Sequence, residues 1–116
     1  MNLDRKVKSI FIFSLISIYI FSVIPVQALP PTNDKLNHIA AFLYLALLGS
    51  FWIDRARLFL LLFSYGVFIE LTQLFVPGRC CDWKDVVADT IGIAAGFLLF
   101  SAASSLLCLV GKDKKR

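Results

Sequence analysis

The sequence predicts an all-α, polytopic membrane protein, a bundle of four transmembrane helices, and three observations predict it. Hydrophobic residues make up 59% of the 116-residue chain and charged residues only 17%. With a mean hydropathy of +0.79, that composition lies outside the range of water-soluble domains. The apolar residues gather into four runs, about 9–25, 36–53, 58–76 and 86–110, each about 16 to 25 residues long against the roughly 20 that a helix needs to cross a bilayer core. The alternating pattern of membrane strands, with a turn about every ten residues, is absent. Residues 1–116 therefore read as a single membrane domain with short loops.

The first run reads in two ways. Arg5, Lys6 and Lys8 precede an apolar stretch from Ile10 to Ile24, and Val26-Gln27-Ala28 fits a small-x-small cleavage site, as in a secretory signal. The stretch is long for a signal and leads into further membrane-embedded sequence, which favours a retained first helix. In either case the second run starts outside the cytoplasm. With both termini inside, nine of the twelve Lys and Arg residues are cytoplasmic (Arg5, Lys6, Lys8, Arg55, Arg57, Lys112, Lys114, Lys115 and Arg116) and three are not (Lys35, Arg79 and Lys84). This split follows the positive-inside rule. The net charge of +4 is then accounted for by topology and contact with anionic lipid, and no nucleic-acid partner is expected.

The second run opens with "NDKLNH". Asn33 suits an N-cap, and in the helix that follows, Asp34 and Lys35 share a face with His38 at spacings of four and three. In the third run Glu70 and Gln73 share a face, with Glu70 about two turns, roughly 9 Å, from the end. An ionisable side chain at that depth is costly unless paired, hydrated or protonated, and so is expected to face the bundle interior. The fourth run places Asp82, Asp85, Asp89, Gly92 and Gly96 at spacings of 3, 4, 3 and 4, a single stripe on one helix. Its acidic end is the helix N-terminus, where the backbone dipole favours carboxylates. Gly92 to Gly96 is a GxxxG face that suits close helix packing, within the bundle or in a homo-oligomer.

All of these polar groups fall on the non-cytoplasmic side. They predict an outward pocket lined by Asp34, Lys35, His38, Glu70, Gln73, Arg79, Asp82, Asp85 and Asp89. Lys35 and Arg79 suit a phosphate or carboxylate, Arg79 by a bidentate fork. His38 and Glu70 are the candidates for acid–base chemistry, with His38 tuned by Asp34 or Glu70. The same side chains read equally well as an interhelical hydrogen-bond network that holds the helices together. The absence of HExxH and of paired histidines, and the two cations, argue against a metal cage, and no cofactor is expected.

Three segments, "DKLNH" (34–38), "ELTQLFVPGR" (70–79) and "DWKDVVADTIGIAAG" (82–96), resemble in order and spacing the VanZ family of small bacterial membrane proteins. The resemblance covers residues 30 to 100. Asp89 departs from it, since that family usually carries Asn there, and Cys80 and Cys81 stand where small residues such as Ser and Ala are common. The resemblance implies a multi-pass protein of the bacterial inner membrane, associated through the founding member with low-level teicoplanin resistance. The expected partners are the bilayer and an anionic lipid or wall-precursor headgroup. A small membrane enzyme that modifies an outer-leaflet lipid or wall-linked substrate is the alternative.

Overall fold

The computed structural model describes residues 3–24, 34–76 and 83–114, with side chains for 5–24, 35–76 and 83–109. Four helices follow one another: α1 (Leu3–Val23), α2 (Asp34–Gly49), α3 (Arg55–Gln73) and α4 (Trp83–Lys114). No strand occurs among the described residues. Three of the helices carry apolar segments long enough to cross a membrane: Arg5–Val23, Arg55–Gln73 and Trp83–Leu109.

The second apolar run forms a shorter helix than its 18-residue span, 36–53, leads one to expect. α2 ends at Gly49, because the chain turns there: Trp52 N–H and Ile53 N–H both donate to Gly49 O, at 3.1 and 2.8 Å. Asp54 then starts α3 as an N-cap, its carboxylate accepting from Arg57 N–H at 3.3 Å, which satisfies one of the otherwise unpaired first-turn donors. At its 16 residues, α2 is about 24 Å long.

Contacts along the helices set their directions. Gly49 of α2 lies against Phe11 of α1 and Leu58 of α3, and Ser14 of α1 donates to Tyr44 of α2 at 3.2 Å, so α2 runs opposite to both. α1 and α3 run parallel: Tyr65 O–H donates to Leu15 O, and Gln73 Nε2–H donates to Ser22 O at 3.0 Å. α2 and α4 are also parallel and make the most extensive helix pair. As a result the N-termini of α2 and α4 and the C-terminus of α3 meet at one end of the bundle.

The α2–α4 seam is close because two glycines make it so. A Cβ on Gly92 would stand 2.5 Å from Ile39 O, and one on Gly96 would stand 2.6 Å from both Ala46 Cβ and Leu43 O. Elsewhere the interior is filled by Phe11, Phe42, Leu45, Ala46, Leu58, Leu62, Ile69 and Ile93. The outside is as apolar as the inside, with Phe13, Leu98 and Leu107 each 72% exposed. A surface of that kind suits hydrocarbon rather than water. At the end away from the α2 N-terminus, Trp52 packs edge-on against Phe11 at 5.4 Å and lies under the Lys8 ammonium at 5.6 Å.

Candidate functional site

The end where α2, α3 and α4 meet holds the charged side chains of the interior. Glu70 (3% exposed), Asp85 (2%) and Asp89 (1%) are buried there with His38. Their placement follows from helical periodicity. Asp85 and Asp89 are one turn apart on the α4 face that continues through Gly92, so the face that packs on α2 must carry both carboxylates inward.

The parallel register of α2 and α4 then decides the pairing. Lys35, at the start of α2, forms an ion pair and hydrogen bond with Asp85 Oδ1. His38, one turn further in, has Nδ1 2.6 Å from Asp89 Oδ1, an acceptor that when ionised selects the tautomer protonated at Nδ1, and its Nε2 lies 3.8 Å from Asp85 Oδ2. The imidazole is thus held between two buried carboxylates. Lys35 is bound to one of them yet keeps 41% of its side chain exposed, as a long aliphatic stem with a charged head allows. Glu70 approaches from α3, with a carboxylate oxygen close to both His38 and Asp85.

Not every predicted residue joins this centre. Gln73 is 2% exposed, but its amide is committed to Ser22 O on α1. Asp34 is the first residue of α2, and its side chain is outside the described set. Arg79 and Asp82, together with Asn33 and the Val26-Gln27-Ala28 segment, lie outside the described residues.

Gly66 contributes to the centre without a side chain. A Cβ there would stand 2.6 Å from Asp89 Oδ2, so its absence makes room for the carboxylate that orients His38. Gly66 precedes Glu70 by four residues and so shares its helix face; that spacing was the available signal. Tyr65, whose hydroxyl ties α3 to α1, had none.

The sequence profile of the VanZ/LLP1 family matches residues 2–107, nearly the whole chain and all of the centre. The chain belongs to the VanZ/LLP1 family. Neither a curated protein nor a solved structure matches it significantly. Family membership and three apolar helices of membrane length make this VanZ/LLP1 chain a membrane protein. In it, the three ordered segments that carry the resemblance supply the buried centre: His38 and Lys35 from the first, Glu70 from the second, Asp85 and Asp89 from the third.

Chemically, the arrangement has two capacities. The imidazole is fixed through Nδ1 by a carboxylate, so that Nε2 is directed to a second group, which is how a histidine base or ligand is commonly positioned. The Lys35 ammonium, at the first turn of α2, adds a cation of the kind that pairs with phosphate or carboxylate.

Proposed function

We propose that this VanZ/LLP1 protein lies in the bacterial cytoplasmic membrane with both termini inside, and that its buried centre opens outward to bind a phosphate-bearing lipid or wall-precursor headgroup. Through that binding it contributes to resistance to teicoplanin-type glycopeptides. The observation that supports the reading is Lys35: its ammonium is anchored on a buried carboxylate while its side chain as a whole keeps 41% of its surface exposed, beside an interior of ionisable groups. Leu36, next to Lys35 in sequence, is 60% exposed, and Trp83, two residues before Asp85, is 71% exposed; an indole there suits the headgroup level of a bilayer. By sequence, Arg79 is the second cation expected to serve the site.

The reading is tested by native mass spectrometry of the purified chain with phosphatidylglycerol. Lys35→Ala is expected to weaken lipid retention by about tenfold, the loss of one charge-assisted contact. Equal retention by wild type and variant would contradict the reading. Labelling of single cysteines placed at positions 35 and 84, in a chain whose Cys80, Cys81 and Cys108 are replaced by Ser, should occur from outside intact cells.

A second reading is supported by the imidazole held between Asp89 and Asp85, which resembles an oriented general base. In that case the chain is a small hydrolase or transferase acting on an outer-leaflet lipid or wall-linked substrate. The lipid profile of expressing cells would then change, and the change would disappear in His38→Ala. An unchanged profile with the resistance intact favours binding alone.

A further inference from the structure

Three side chains from three helices bring ligand atoms together at this centre: one atom each from His38, Glu70 and Asp85, all within 4.8 Å of one another. We propose that these three side chains bind a divalent first-row transition-metal ion of the Zn²⁺ or Mn²⁺ class, with Asp89 as the outer carboxylate that orients His38. The inference rests on the same centre as the headgroup reading and adds the ion that would contact the phosphate.

The histidine geometry carries most of the argument. A metal-bound imidazole typically donates its other N–H to a carboxylate, which fixes the ring and its tautomer. His38 does this through Nδ1, which donates to Asp89 Oδ1 at 2.6 Å, while Nε2 faces Asp85 Oδ2 at 3.8 Å. Ligands at about 2.0–2.2 Å from an ion lie roughly 3–4 Å from one another. The 3.8 Å His38–Asp85 separation is within that range, and the Glu70 oxygen lies within 4.8 Å of both partners. Lys35 occupies Oδ1 of Asp85, which leaves Oδ2 as the ligand oxygen.

The donor set also selects the ion. One imidazole with two carboxylates suits Zn²⁺ or Mn²⁺ better than Mg²⁺ or Ca²⁺, which prefer oxygen alone. Three protein ligands leave a coordination position for water or a phosphate oxygen. An ion here would also join α2, α3 and α4 and offset the cost of placing Glu70 and Asp85 within a membrane. The sequence argues against a cation site because it has neither HExxH nor paired histidines and because Lys35 and Arg79 bring positive charge to the site. What changes the reading is Asp89 beside His38, a pairing between helices.

The test uses the full chain in detergent micelles, stripped with chelator, dialysed against Zn²⁺ or Mn²⁺ and desalted, with bound metal counted by mass spectrometry. Wild type is expected to retain about one equivalent, and its thermal midpoint to rise on loading. Glu70→Gln and His38→Ala, checked for wild-type helicity and monodispersity, should retain less than a tenth as much. Asp89→Asn should bind 10 to 100-fold more weakly, and Lys84→Ala should bind normally. Wild type with less than a tenth of an equivalent, loading by Mg²⁺ or Ca²⁺ alone, or equal loading of Glu70→Gln and His38→Ala would each overturn the inference. Phosphatidylglycerol binding measured on stripped and loaded protein separates the two readings. Lipid bound to wild type that takes up no metal removes the ion and leaves the headgroup site; metal bound without lipid does the reverse.

Discussion

Asp89→Ala is expected to destabilise the protein by about 3–5 kcal/mol, the usual cost of removing one member of a buried, hydrogen-bonded ionic pair. Asp89 is 1% exposed and accepts from His38 Nδ1 at 2.6 Å. The alanine leaves the imidazole N–H facing a space that lacks its acceptor, in a cavity shaped for a carboxylate by Gly66. Asp89→Asn should behave differently. Its side-chain carbonyl keeps the acceptor in place and its volume is nearly unchanged, so the expected cost is within about 1 kcal/mol. Asn is also what the resemblance leads one to expect at this position. Thermal unfolding of the two variants in the same detergent measures the difference. Equal midpoints for Asp89→Ala and wild type would show that the His38–Asp89 contact does not hold α2 to α4.

Gly92→Val should have an effect of similar size through geometry alone. The first added carbon would stand 2.5 Å from Ile39 O and 3.1 Å from Leu43 N, both backbone atoms of α2. A side chain can rotate away from such a clash, but a helix backbone has to move bodily. Overpacking usually costs about 1–3 kcal/mol, and this substitution belongs at the upper end or beyond. The damage extends further because Lys35–Asp85 and His38–Asp89 bridge the same seam: pushing α2 from α4 pulls both pairs apart. The expected result is a large fall in monodisperse, protease-resistant protein. Ile91→Val, one residue away but 52% exposed, should leave the yield unchanged.

Much of this centre was legible in the sequence because helical periodicity is strong. The 3, 4, 3 and 4 spacings put Asp85 and Asp89 on the glycine face, and the glycines show why that face is buried against α2. The depth of Glu70 in an apolar run likewise required it to face inward. Which groups pair was not legible: Lys35 with Asp85 and His38 with Asp89 depends on the parallel register of α2 and α4, which no local spacing encodes. Gln73 shares a face with Glu70, yet Ser22 O on α1 takes its amide. The end of α2 was hidden for another reason. Apolar residues continue to Ile53, but the backbone turns at Gly49, and hydropathy does not sense a turn made of apolar side chains. Conversely, α1 and α4 extend past their apolar runs to Leu3 and Lys114, since lysine and arginine are good helix formers that hydropathy does not count.

The proposal that the buried centre binds a headgroup, as well as joining α2 to α4 through Lys35–Asp85 and His38–Asp89, is tested most directly by Glu70→Gln on α3. The substitution keeps shape and hydrogen-bonding capacity while removing a carboxylate from the interior, where a charge is costly. Thermal midpoint should be measured on chelator-stripped protein, and phosphatidylglycerol retention on the same preparation after metal loading, because Glu70 acts on the headgroup through the ion it helps to hold. The expected result is a midpoint equal to or above that of wild type together with at least a tenfold loss of lipid retention. A lowered midpoint with lipid retention unchanged would contradict it and assign Glu70 to holding the helices together.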